Sequence, residues 1–268
     1  MLKTRLLVSY LIIPIVAGAI ALGGWVLNIS VALAVGIASW EYCQMFRSGG
    51  YSPSALTLVV GAPLLVLAQA IFGFPGRVFL LTLLVLLSMA AHVVTYQQGN
   101  EHAGLDFGIT IGGLLCIGWL GSYLIPLRSL PDGLWWSLLV IPSAAVSDGG
   151  AYLVGKRFGK HKIADRVSPK KSWEGLLGGI LFAAIFIPGF AALWHLKAPA
   201  ITPEKGLVLG LILGAVPTIG DLGISMFKRQ FNLKNTGNLL PGHGGILDRI
   251  DSWLWATSIG YYLVTLLW

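Results

Sequence analysis

Residues 238–268 read NLLPGHGGILDRIDSWLWATSIGYYLVTLLW. A Pro-Gly-His-Gly-Gly turn and two aspartates, Asp248 and Asp251, run straight into a segment, 252–268, that carries no charge. Such turns belong at water and uncharged runs of that length belong in lipid, so the stretch marks a membrane boundary. The composition of the whole chain agrees. Its 268 residues are 56% hydrophobic and only 11% charged, against about 25% charged in soluble domains. Polar side chains are too few to cover it in water, which makes the fold class an all-α integral membrane protein. The net charge of +7 does not by itself imply nucleic acid as a partner, because in a membrane protein the distribution of charge carries the information. Cys43 and Cys116 lie in apolar runs and support neither a disulfide framework nor a zinc site. The 35 glycines suit closely packed membrane helices and permit a homodimer.

A transmembrane helix needs about 20 mostly apolar residues. About nine are expected, at 6–23, 25–45, 55–73, 77–96, 107–126, 133–155, 174–195, 206–227 and 252–268. Lys3 and Arg5 give the first the look of a signal peptide, yet its apolar run is too long and continues through Gly23 and Gly24. It reads as a retained helix. With nine spans, all of the 18 Lys and Arg residues except Arg77, Arg128, Lys197 and Lys205 fall on the side of the amino terminus. The positive-inside rule then places the amino terminus and two long basic loops in the cytoplasm, with a bacterial inner membrane as the expected location. The chain divides into helices 1–5 over residues 1–132 and a second membrane region over 133–268, to which the motifs below assign catalysis. The latter holds helices 6–9, a basic loop at 156–173 and a signature loop at 228–251.

Asp148, in LLVIPSAAVSDGGAYLVGKR, and Asp221, in LGAVPTIGDLGISMFKR, fall inside expected spans. A charge at a helix centre costs about 2.5–3.5 kcal/mol on insertion scales, so each marks a candidate functional site. Helical rise places them about 12 Å before Lys156 and about 10 Å before Lys228. Each follows a proline, Pro142 or Pro217, which removes a backbone donor and can open a helix locally. Either acid alone is equally well read as a satisfied structural group. Two at matched depth, each leading into a basic loop, point to a shared cavity facing the cytoplasm. Glu41, in SWEYCQ, reads instead as a capping or packing acid.

The loop GKRFGKHKIADRVSPKKSWEG serves positive-inside topology and headgroup attraction, at about 1 kcal/mol per Lys or Arg. It also sets Ser168, Lys170, Lys171 and Ser172 side by side before a helix, where phosphate is favoured. In the opening stretch Gly242, Gly244 and Gly245 allow close backbone approach to a ligand. Asp248 and Asp251 share a face if a helix begins there, although acids at a helix start are also ordinary capping residues. Carboxylates beside glycines and cations suit a magnesium–nucleotide site. His243 is a phosphate donor, a base or a turn residue.

Ser225-Met-Phe-Lys228-Arg229, then Lys234-Asn235, then Pro241-Gly-His243-Gly-Gly-Ile-Leu-Asp248-Arg249-Ile-Asp251 resembles the signature of the phosphatidate cytidylyltransferases. SPKKSWEG, DGGAY and FGKHK resemble the same family. The resemblance implies transfer of a cytidylyl group from CTP to phosphatidate, giving CDP-diacylglycerol and pyrophosphate for phospholipid synthesis, with Mg2+ and a second cation as cofactor candidates. It implies divalent metal at Asp221, Asp248 and Asp251, with Asp148 near the metal or the cytidine. Lys170, Lys171, Lys228, Arg229 and Arg249 would neutralise phosphates, and Ser168, Ser172 and Ser225 would donate hydrogen bonds. The chain departs from the pattern at Asn235, Ile224 and Gly149, where Asp, Glu and Thr are expected. A polyprenol or lipid kinase, a transporter and a catalytically impaired paralogue are the competing readings. The transporter accounts for the intramembrane acids but not for the glycine turn or the cationic loop.

Overall fold

The computed structural model describes residues 13–240 and 244–268. The start of the expected 6–23 helix, Lys3, Arg5, Gly242 and His243 lie outside them. The described residues form helices joined by loops and no β-strand. Among the described residues six helices are long and apolar enough to cross a membrane: Gly24–Ser48, Leu56–Gln97, Ala103–Ser129, Gly133–Phe158, Trp173–His195 and Pro203–Gln230.

The described helices divide differently from the nine expected spans, for local reasons. The expected spans 55–73 and 77–96 fall in one 42-residue helical stretch, Leu56–Gln97. At 1.5 Å per residue this would run about 63 Å, roughly twice a hydrocarbon core. It is not one rod. Gly73 takes φ 66° and ψ −158°, a conformation open to glycine. Pro75 follows two residues later, where its fixed φ and missing N–H suit the first turn of a new helix. At the amino-terminal end the described residues begin inside the expected 6–23 span and are helical over Ile13–Leu22 (α1). At the other end all but the last residue of the expected 252–268 span lies in a 21-residue helix, Leu247–Leu267, whose first turn carries Asp248.

The chain divides into two compact units. One comprises the described residues of Met1–Pro126 and Phe231–Arg249, the other Leu127–Gln230 with Ile250–Trp268. In the first unit, Gly23 and Gly24 take positive φ, 63° and 52°, and turn the chain from α1 into α2 (Gly24–Ser48). A π-helical turn at Leu56–Gly61 leads into α3 (Ala62–Gln97). A second, at Leu114–Trp119, extends α4 (Ala103–Gly113). The Tyr42 hydroxyl donates to Ile109 O at 3.1 Å, fastening α2 to α4. Arg77 is buried, with its guanidinium 4.1 Å from the Trp119 ring centroid and 4.3 Å from that of Tyr123. Its Nη1 donates to Ser122 Oγ at 2.7 Å, so ring faces and a hydroxyl replace water around the charge.

After the short helix α5 (Leu124–Ser129), the second unit is built on α6 (Gly133–Phe158), α7 (Trp173–His195) and α8 (Pro203–Ala215). Small residues set their spacing. A Cβ on Gly178 would meet Val154, one on Gly179 would meet Ser147, and one on Gly210 would meet the Ala183 backbone. Ser147 Oγ donates across to Gly214 O at 2.6 Å. The expected 206–227 span is interrupted: α8 ends at Ala215 and α9 begins at Pro217 and runs to Gln230. Pro217 has no N–H to continue the ladder, and Ile219 N tightens onto Val216 O at 2.9 Å. Pro142, by contrast, sits inside an unbroken α6. The last helix, Leu247–Leu267 (α10), brings Trp255 and the backbone of Asp251 against Gly220.

Candidate active site

The expected site residues fall into two clusters, one in each unit. In the second unit the basic loop is folded back on the start of α7. Trp173 N donates to His161 O at 2.9 Å and Ile163 N to Lys171 O at 3.2 Å. Glu174 takes the Lys160 amide at 3.1 Å and the His161 amide at 3.2 Å, and its Oε1 lies 2.5 Å from His161 Nδ1. Ser172 is the amino-terminal cap of α7; its Oγ accepts from Gly175 N at 3.1 Å. A turn closed by Lys171 N and Ser168 O, 3.1 Å, precedes it.

Beside this turn stand the acids of two candidate membrane spans. Lys171 Nζ lies 2.6 Å from Asp221 Oδ2, while Ser225 Oγ, one helical turn along α9, donates to Asp221 Oδ1 at 3.2 Å. Asp148 is exposed on α6 and within electrostatic reach of both Lys171 and Asp221. The Lys171 ammonium is shut off from solvent, and Asp221 is its partner among the described residues. An ammonium carries three donors, so this one has capacity left for an anion. Arg229 Nε donates to Val167 O at 3.2 Å, linking the end of α9 to the basic loop. Lys228 is buried, Lys170 is exposed and Ser168 is half-buried. Asp251 is buried, and its Oδ1 accepts from Ser252 N at 2.6 Å.

The signature loop belongs to the first unit, and α2 is its seat. Phe231 lies edge-on to Phe46 and Tyr51, with centroids at 5.1 and 6.2 Å. Leu240 and Gly244 exchange both backbone hydrogen bonds, at 3.0 and 3.2 Å. Gly244 has φ 86°, and a Cβ there would stand 2.7 Å from Asp248 Oδ2. That oxygen accepts from Thr236 N at 2.9 Å, Thr236 Oγ1 at 3.1 Å and Gly245 N at 3.0 Å. The space beside Gly245 is filled by Glu41 and Thr236. Glu41 itself, fully buried on α2, accepts from Ile246 N and Leu247 N, each at 2.9 Å, and from Thr236 Oγ1 at 3.0 Å. Its capping character is legible in the sequence; that it caps α10 from more than two hundred residues away is not. Arg249 closes a turn through its amide to Ile246 O at 2.9 Å.

Among the described residues no three His, Cys, Asp or Glu side chains gather into a metal cage. Magnesium does not need one: it binds one or two carboxylates, keeps waters and takes its remaining ligands from phosphate. The donor set of Asp221, Asp148 and the Ser225 hydroxyl fits that chemistry.

The model of the cytidylyltransferase family matches residues 3–267 of this chain. The chain belongs to that family. A phosphatidate cytidylyltransferase of Synechocystis sp. is 32% identical over 99% of this chain and 98% of its own length. Another, from Pseudomonas aeruginosa, is 35% identical over 94% of this chain and 93% of its own. A third, from Staphylococcus aureus, is 32% identical over 96% and 97%. Within this cytidylyltransferase-family chain the three departures occupy different surroundings. Ile224 is buried in its unit, Gly149 faces open space, and Asn235 is exposed with its side chain beside Gly244.

Proposed function

We propose that the chain transfers the cytidylyl group of CTP to phosphatidate, releasing pyrophosphate and forming CDP-diacylglycerol. The observation that carries this reading is the end-to-end correspondence with three phosphatidate cytidylyltransferases. Support from geometry is the buried ammonium of Lys171 paired with Asp221 in a membrane helix. A phosphate oxygen of phosphatidate attacks the α-phosphorus of CTP while the bond to pyrophosphate breaks. The nucleophile is the lipid's own oxyanion, so the protein's work is positioning and charge neutralisation. Lys171 and Arg249 draw phosphate oxygens into place, with Lys170, Lys228 and Arg229 holding the surrounding potential positive. Ser168, Ser172 and Ser225 orient oxygens, and Asp148 faces the cytidine or the metal. Asp221, with Asp148 and Ser225 beside it, would hold Mg2+, and Asp248 and Asp251 are the further carboxylates that the resemblance assigns to metal; the bound ion would supply Lewis-acid neutralisation of phosphate charge. Gly242, Gly244, Gly245 and His243 belong to the loop assigned to phosphate.

The same proposal includes nine membrane crossings with the amino terminus and basic loops in the cytoplasm of a bacterial cell. Counting the two arms of Leu56–Gln97 separately supports it, as does the charge distribution. It includes a homodimer, for which Gly104 and Gly108, with open space beside them, offer a close approach. The testing experiment supplies purified protein with labelled CTP, phosphatidate and Mg2+ and separates the lipid products. CDP-diacylglycerol is expected; a phosphorylated lipid alcohol would instead select the kinase.

A further inference from the structure

Glu41 contributes nothing that a membrane helix needs for itself. A carboxylate removed from water requires donors, and the three donors to Glu41 among the described residues come from the far end of the chain: Thr236 Oγ1, Ile246 N and Leu247 N. The first amides of a helix have no partner within it and sit at the positive end of its dipole. Glu41 fills that role for α10 from α2. The neighbouring groups are shaped around it: a Cβ on Gly237 would stand 2.7 Å from Glu41 Oε1, and one on Gly245 would collide with Oε2. Thr236 touches both acids, its Oγ1 lying 3.0 Å from Glu41 and 3.1 Å from Asp248 Oδ2, and its amide adds a bond to Asp248. The hydroxyl has one proton and serves one carboxylate at a time.

We infer that Glu41 is a positioning residue: through Thr236 and the amides of Ile246 and Leu247 it fixes the signature loop and thereby sets where Asp248 stands. The inference rests on the function proposed above for its catalytic consequence, but not for its structural one. It separates Glu41 from groups that touch substrate, because its described bonds all point into the loop. A glutamine cannot replace it, since its NH2 would face an amide N–H donor against donor. An aspartate is one methylene short.

The test uses the full chain in lipid nanodiscs, as wild type, Glu41→Gln, Thr236→Val and Thr236→Ser. Amide hydrogen exchange is read at residues 244–248 and, as a control, in α6 to α8. Glu41→Gln is expected to speed exchange at Ile246 and Leu247 at least about tenfold, leaving the control helices unchanged. In the lipid product assay the same variant loses at least about tenfold in kcat and requires more Mg2+ for half-maximal rate, with KM for phosphatidate held. Thr236→Ser retains activity and Thr236→Val does not. Should Glu41→Gln fail to fold, Thr236→Val against Thr236→Ser carries the same readouts. Wild-type exchange at 246–247 together with wild-type kcat and Mg2+ dependence in Glu41→Gln would overturn the inference. If the wild type itself makes no CDP-lipid, the proposed function fails, and the exchange result alone decides what Glu41 holds.

Discussion

Asp221 sits in a membrane helix with Lys171 on one carboxylate oxygen and Ser225 on the other. An isolated charge there would be costly; the paired charge is held ready for a ligand that can compete for the lysine. Asp221→Asn keeps the shape and removes the charge, so turnover should fall by about 100-fold or more while the protein still inserts, as measured by kcat beside a folding control. Lys171→Met should raise the apparent KM for CTP and leave Asp221 without its partner. Ile224 shows where structure changes a sequence-based expectation. The resemblance leads one to expect an acid there, yet this side chain is buried at 6% exposure. Ile224→Glu would therefore insert an unpaired carboxylate, and a loss of roughly 2–4 kcal/mol in stability is expected, seen as a lower unfolding temperature. A gain of activity in that variant would show that an acid is tolerated and useful at this position.

At the scale of elements, the basic loop is ordered by its own chemistry. Glu174 gathers two amides and His161, and Ser172 caps α7. Lys160, Lys162 and Arg166 are exposed already, so Glu174→Gln should act by loosening the loop around them, speeding tryptic cleavage there in nanodisc-embedded protein. Ser172→Ala removes the cap and should cost about 1 kcal/mol. Most elements were legible because apolar runs of helix length have few alternatives, but the break between α8 and α9 was not: Pro142 and Pro217 read alike in sequence, and only the second interrupts a helix. The corner at Gly73 was legible only as a gap between two apolar runs. Glu41, Glu174 and Thr236 were less legible as anchors, because their partners lie in backbone amides that sequence does not display. Asp248 and Gly244 stood out as a motif, but the motif does not reveal that Asp248 Oδ2 closes the loop as well as facing its proposed metal role.

For the whole molecule, composition alone pointed to an all-helical membrane protein, and the family match extends over nearly the entire chain. Topology is the finer claim. Single cysteines introduced at Asp165 in the basic loop and at Ala200 in the loop after α7, both exposed, would be placed in a background lacking Cys43 and Cys116. They should react with a membrane-impermeant thiol reagent from opposite sides of the membrane. Labelling of both from outside intact cells would contradict a cytoplasmic basic loop. The central claim is the chemistry, and one measurement addresses it most directly: purified chain, CTP labelled in the cytidine, phosphatidate and Mg2+, with lipid and aqueous products counted together. The account predicts label in CDP-diacylglycerol, one pyrophosphate released for each, and loss of both in Asp221→Asn. A wild-type protein that is folded, metal-supplied and still transfers no cytidylyl group, beside an active Pseudomonas aeruginosa relative, would contradict it.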